Sequence, residues 1–248
     1  MSTIALISDV HSNVAALEAV LRHIDNLGVE TVISLGDTVG YGPEPVECWL
    51  RVKEVAAHHM LGNHEFAAMR TDAVFGANPV AQSALEYTRA QLQAAGLIDE
   101  LKQLPVSHQL GDTLFVHGHV REPFAYLRES DHRGHSQFDE VVSSLERDFQ
   151  NFRVCFVGHN HKPFLATEEG FIHPHASLNR FCVADNKLYI SVGSVGQPRD
   201  GDPRACFATF DGEFVEFHRV EYPIHITAEK ITGAGLDARL ARRLYRGH

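Results

Sequence analysis

Seven residues of the kinds that bind divalent cations recur along the chain, mostly beside glycine: Asp9, His11, Asp37, Asn63, His117, His159 and His161. They occur as Asp9-Val10-His11, Gly36-Asp37, Gly62-Asn63-His64-Glu65, His117-Gly118 and Gly158-His159-Asn160-His161. Imidazole and carboxylate with an amide oxygen and no thiolate suit Mn²⁺, Fe or Zn²⁺. Seven groups exceed one tetrahedral shell and fit two divalent ions sharing a carboxylate. Two ions about 3.5–4 Å apart clamp the attacking and leaving oxygens of a phosphoryl transfer. In an extended segment, Asp-x-His and His-x-His put alternate residues on one side, where both can face one ion. Each motif alone has an ordinary explanation: Asp9 as a helix cap, Gly36-Asp37 as a turn, Gly62 to Glu65 as a loop. Their recurrence after one strand-like run after another is what points to chemistry.

The elements that must position these groups are legible from periodicity. Thr3 to Ser8, Thr31 to Leu35 and Val55 to Leu61 read as strands. Between them lie a helix with apolar residues at Val14, Leu17, Leu21 and Ile24, and another over Glu44 to Lys53 opened by Pro43. This β-α-β-α-β order predicts parallel strands with helices on the sheet. In such sheets ligands bind beyond the carboxyl ends of the strands, which is where the motifs fall. Asn78 to Ala95, Leu97 to Leu104 and Phe138 to Phe149 read as helices, and Val106 to Val116 as a hairpin turning at Gly111-Asp112. Arg153 to Val157 reads as a strand. Short β runs follow at Pro163 to Thr167, Phe171 to His173, Phe181 to Ala184, Leu188 to Val192, Cys206 to Phe210 and Phe214 to Val220. The tail from Thr227 to Tyr245 is helical in pattern, interrupted by Gly233 and Gly235.

Composition limits the remaining possibilities. The 248 residues are 44% hydrophobic and 22% charged, a globular balance and a length suited to one domain over 1–248. Net charge is −10, which argues against a general nucleic-acid or anionic-membrane binder. No apolar run reaches the length of a membrane span, and Ile4 to Ile7 is too short for a signal core. The four cysteines, Cys48, Cys155, Cys182 and Cys206, lie far apart without a C-x-x-C, the pattern of reduced thiols in the cytoplasm.

The five motifs, in this order, resemble those of the calcineurin-like metallophosphoesterases. The stretches Gly36 to Pro43, Gly193 to Arg204 and Ala234 to Leu236 are similar to the bacterial subgroup of small phosphodiesterases and asymmetric diadenosine-tetraphosphate hydrolases. The resemblance implies an α/β fold, a four-layer αββα sandwich of two mixed sheets flanked by helices. It implies that Asp9, His11, Asp37 and His161 hold one metal and Asp37, Asn63, His117 and His159 the other, with Asp37 bridging. A bridging water would attack phosphorus in line, and His64 would protonate the leaving oxygen or stabilise the charged transition state. Departures from the subgroup are Leu61 where Arg is frequent, His119 where Ser is frequent, and Ser191-Val192 in place of Asn-Pro. None falls on a ligand position, so they bear on substrate preference.

Substrate contacts are expected from Tyr41, in the Gly-rich loop after Asp37, from Arg199, in a Pro/Gly-rich loop, and from His119. The pairs His58-His59, His132/His135 and His173/His175 read as structural or surface residues. The expected activity is hydrolysis of small phosphodiesters or nucleotides, or more narrowly asymmetric cleavage of diadenosine tetraphosphate. A non-catalytic interaction protein on the same fold is the competing class, disfavoured by the intact motifs. A nuclease is disfavoured by the lack of a basic or aromatic strip. The expected partner is therefore a small, nucleotide-like phosphorylated substrate, with neither a nucleic-acid polymer nor a membrane.

Overall fold

A computed structural model describes residues 2–72, 78–127, 136–183 and 185–248. Two six-stranded mixed sheets lie face to face. One has the order β3-β2-β1-β11-β12-β9, formed by β1 (Ile4–Ile7), β2 (Thr31–Ser34), β3 (Ala56–His59), β9 (Arg180–Cys182), β11 (Ala205–Phe210) and β12 (Phe214–Val220). The other has the order β4-β5-β6-β10-β7-β8, formed by β4 (Ser107–Leu110), β5 (Thr113–Val116), β6 (Val154–Val157), β7 (Pro163–Thr167), β8 (Gly170–Ile172) and β10 (Leu188–Val192). Strands β1, β2 and β3 run parallel, as do β5, β6 and β10, and the other pairings are antiparallel.

The four layers follow from strand alternation. Ile4 and Leu6 of β1 point between the sheets, where they meet Phe115, Phe156, Ile190 and Phe210. Ala5 and Ile7 point outward against Leu17, Val20 and Ile24 of helix α1 (Val14–Asn26) and Val52 of α2 (Pro45–Val55). In β6, Val154 and Phe156 face inward while Cys155 and Val157 pack under Leu145 of α6 (Ser136–Asp148). Both faces of these strands are buried, so each reads as an uninterrupted apolar run. The expected αββα sandwich is what forms.

Several boundaries differ from the sequence reading. Gly62 to Glu65 opens a short helix, α3 (Asn63–Ala68), because Glu65 Oε2 takes the Gly62 N–H at 3.0 Å. Helix α4 (Pro79–Ala94) starts at its Asn78 cap. Of Leu97 to Leu104 only α5 (Ile98–Leu101) is helical; its end closes in turns, with Gln103 N bonding Glu100 O and Leu104 N bonding Leu101 O. The tail forms two helices, α7 (Ile224–Gly233) and α8 (Ala238–Leu244), because Gly235 takes a left-handed φ of 72° that ends the first. His132, His135 and Ala184 lie outside the described residues, as does part of the connection from Gly118 to Gly134. No described helix is long and apolar enough to cross a membrane.

Candidate metal centre

Register brings the motifs level. The last β1–β2 pair is Ile7 with Ser34, and two residues on Asp9 N bonds Gly36 O at 3.0 Å. The last β5–β6 pair is Phe115 with Phe156, and two residues on Gly158 N bonds His117 O at 2.8 Å. The backbone between these strand ends is bent out of the β region. Asp9, His11, Asp37, Tyr41, His159 and His161 all have φ between 48° and 59°, a costly conformation for residues with a Cβ. Strand alternation is therefore not what turns Asp9 and His11, or His159 and His161, toward one centre. Left-handed turns at both members of each pair do so.

Three imidazoles are locked by the same device. His11 Nδ1 lies 3.1 Å from Val39 O, His117 Nδ1 2.8 Å from Leu35 O, and His161 Nδ1 2.6 Å from Gln197 O. A carbonyl only accepts, so each Nδ1 carries a proton and Nε2 is the ring atom turned inward. Leu35 and Val39 flank Asp37, so one loop both carries the carboxylate and aims two rings at it. Asp37 Oδ2 lies 3.3 Å from His117 Nε2 and 3.8 Å from His11 Nε2, while Asp37 Oδ1 accepts the His64 N–H at 2.8 Å. His161 Nε2 is 3.1 Å from both Asp9 Oδ1 and His11 Nε2, and Asn63 Oδ1 is 3.1 Å from His117 Nε2.

This arrangement fits cations better than it fits itself. His11 Nε2 and His161 Nε2 lie 3.1 Å apart with each Nδ1 bound to a carbonyl, so the two are placed to share one positive centre. Asp9 Oδ1 and His159 Nε2 are buried with no hydrogen-bond partner, an expensive condition for polar atoms. The groups Asp9/His11/His161, His11/Asp37/His64 and Asp37/His117/His159 each bring their donor atoms within 4.8 Å of one another. Burial alone would raise the Asp37 carboxyl, but His117 and His64 hold it well below the usual carboxylate range. Burial would lower His117, yet the Asp37 charge carries it up to about 9. Burial, and then the charge of Arg199, push His161 down to about 3. Six of the seven residues singled out by type and spacing thus meet in one buried cluster, and the seventh, Asn63, reaches it half-buried through His117.

His64 sits against this cluster, its ring centroid 4.7 Å from His11 and 4.5 Å from Tyr41. A Cβ at Gly40 would stand 2.1 Å from His64 Nδ1, so only glycine fits there, and its φ of 94° demands glycine as well. Arg199 joins the rim: its guanidinium carbon is 5.7 Å from the Tyr41 ring centroid and it donates to Gln197 Oε1 at 2.8 Å. His119 does not join the cluster. It is buried, accepts the Arg121 N–H at 3.1 Å and lies 5.9 Å from the Tyr189 ring, because the chain after Gly118 turns back under the loop 123–125. His59 bonds Thr38 Oγ1 at 2.9 Å and His58 stacks on His108, both supporting roles; His175 bonds Ser177.

Four residues given no individual role by the sequence support the centre. Glu65 takes three buried N–H groups, from Asp37 (2.9 Å), Val39 (3.0 Å) and Gly62 (3.0 Å), and so ties α3 to the loop that carries Asp37. Its place three residues after Gly62, in a helix capping pattern, was the available clue. Ser194 Oγ donates to Asp9 O at 2.8 Å and accepts the Gln197 N–H, steadying Asp9 and His161 together. Asn160 bonds both the N–H and the carbonyl of Leu127, which draws the preceding Tyr126 over His159, ring centroids 3.8 Å apart. Glu65→Gln should lower unfolding stability by about 1–3 kcal/mol, since one of the N–H donors then meets an amide NH₂. Denaturant titration measures this, and an unchanged midpoint would show that Glu65 does not brace the loop.

The Calcineurin-like phosphoesterase superfamily domain matches residues 2–213. The chain belongs to that superfamily. Its sequence is 34% identical over 253 residues to an uncharacterized protein of Methanocaldococcus jannaschii, covering 99% of this chain and 98% of that protein. A metallophosphoesterase from Sphaerobacter thermophilus is 38% identical, with a TM-score of 0.84 over 99% of this chain and 100% of that one. A hypothetical protein from Pyrococcus horikoshii, 20% identical with a TM-score of 0.80 over 100% of this chain and 99% of that one, shares the fold. The superfamily match ends at 213, so α7 and α8 lie beyond it.

Proposed function

We propose that the chain is a dinuclear metal-dependent phosphoesterase acting on small phosphodiesters or nucleotides. The observation that carries this reading is the convergence of the Nε2 atoms of His11, His117 and His161, each tautomer held by a backbone carbonyl, on Asp9 Oδ1 and Asp37 Oδ2. Asp9, His11, Asp37 and His161 would hold one ion, and Asp37, Asn63, His117 and His159 the other, with Asp37 shared. When bound, two such ions (Mn²⁺, Fe or Zn²⁺) offset charge on phosphoryl oxygens and lower the pKa of water for in-line attack. His64 would then face the leaving oxygen and donate to it, as a proton donor or as a hydrogen bond to the charged transition state; burial holds its imidazole well below its ordinary range, so the donor is the neutral ring's N–H. Arg199 grips a phosphate oxygen with its planar fork, and the Tyr41 ring forms a wall of the same site. The unpaired state of all four cysteines is in keeping with a reducing cytoplasm.

Metal-supplemented protein should hydrolyse an aryl phosphodiester. Failure on aryl phosphodiesters, nucleotides and dinucleoside polyphosphates with every metal would favour the non-catalytic class. Arg199→Ala should raise KM for a polyphosphate substrate by roughly 10–150-fold, the loss of one charged hydrogen bond, while barely changing the aryl diester. Equal effects on both substrates would put Arg199 at the reacting phosphate or in the scaffold. The Arg199–Tyr41 contact also favours a narrower reading, asymmetric cleavage of diadenosine tetraphosphate. Release of a nucleoside triphosphate and a monophosphate, rather than two diphosphates, identifies it.

A further inference from the structure

Helix α8 delivers a second guanidinium to the rim. The Arg243 guanidinium carbon lies 5.7 Å from the Tyr41 ring centroid, the same distance as that of Arg199. Most arginines of this acidic chain are neutralised locally: Arg51, Arg121, Arg153, Arg204, Arg219 and Arg239 each pair with a carboxylate. Among the described residues, neither Arg199 nor Arg243 pairs with a side-chain carboxylate. Among the described residues, the Arg199 guanidinium donates to the neutral Gln197 amide, and its Nε is buried without a partner. Arg243 donates Nε to His248 O at 2.7 Å, and no described carboxylate pairs with its terminal nitrogens. Burial, and next the charge of Arg199, pull Arg243 below the usual guanidinium range, so the two cations feel each other.

The backbone holds this repulsive pair in place. Gly201 N bonds Gly247 O at 2.9 Å, docking the C-terminal turn on the loop that carries Arg199. Thr227 Oγ1 of α7 bonds Asn13 Oδ1 at 2.7 Å, anchoring the tail at the start of α1. Tyr41 in turn packs 4.8 Å from His11 and 4.5 Å from His64, so the two guanidiniums stand beside the centre. Two half-buried guanidiniums with no described side-chain carboxylate against them are stabilised when an anion enters beside them.

We propose that Arg199 and Arg243, set around Tyr41, form a subsite for a second phosphate, so that the substrate carries a phosphoanhydride chain rather than a single phosphate. This rests on reading the centre as a phosphoesterase, but the arginine pair can be tested without metals. Inorganic tripolyphosphate is the probe, titrated calorimetrically into protein stripped of metal by chelation and dialysis. Wild-type should bind it. Arg243→Gln should weaken binding at least about tenfold, and Arg243→Lys less, because one point charge replaces a fork. Arg242→Gln, an equal charge change at an exposed position on the same helix, should leave binding unchanged. In metal-loaded protein, Arg243→Gln should raise KM for a nucleoside triphosphate by a larger factor than KM for an aryl phosphodiester, whereas Arg242→Gln should change neither. Wild-type protein that fails to bind tripolyphosphate, an Arg243→Gln variant that binds as wild-type does, or equal losses in Arg242→Gln would each overturn the subsite. Loss of aryl diester hydrolysis in wild-type itself would instead overturn the phosphoesterase reading.

Discussion

Replacing His64 with alanine is expected to lower turnover by roughly 10²–10⁴-fold while leaving the metal content unchanged, the signature of a proton donor outside the ligand set. The loss should be smaller for a nitrophenolate leaving group, which needs little protonation, than for an alkoxide or ribose oxygen. The geometry makes metal content the deciding control. His64 holds Asp37 Oδ1 through its main-chain N–H, which alanine keeps, while its ring stands in the same donor cluster as His11 and Asp37. A variant that loses metal would make His64 a ligand. Equal losses on good and poor leaving groups would make its contribution electrostatic stabilisation instead.

Asp37→Asn is expected to weaken both metal sites together, by more than the 10–100-fold typical of removing a group behind the ligands. Asparagine keeps the Oδ1 acceptor for the His64 N–H and nearly the same volume, so the fold around Glu65 should persist. What disappears is the shared negative charge at Oδ2, which faces His117 on one side and His11 on the other. Elemental analysis after dialysis should show two ions per chain in wild-type and depletion of both in the variant. Two ions retained, or one lost and one unaffected, would remove Asp37 from its bridging position.

Much of this was open to reading in the chain itself. Residue type alone named Asp9, His11, Asp37, Asn63, His117, His159 and His161, because few other patterns place carboxylate, amide and imidazole after successive strands. The apolar runs at Ile4–Ile7 and Val154–Val157 announced strands, and the βα alternation announced parallel pairing. These are local properties, set by side-chain period and turn chemistry. Tertiary structure decided what lies across the chain. Asp9 Oδ2 accepts from His159 N, 150 residues away, because register levels two separate sheets, and the left-handed φ values at the strand ends have no period to betray them. His119 reads like its neighbour His117 in sequence, yet it meets Arg121 N and the Tyr189 ring and belongs to none of the three close donor groups. Glu65, Tyr126 and Arg243 gain their places only through contacts with distant loops: three backbone N–H groups, the His159 ring and the Tyr41 ring. A sequence specifies which groups are present and how each segment bends. Which groups share one volume of low dielectric, and so feel each other's charge, is settled by the packing of the two sheets and the docking of the final helix.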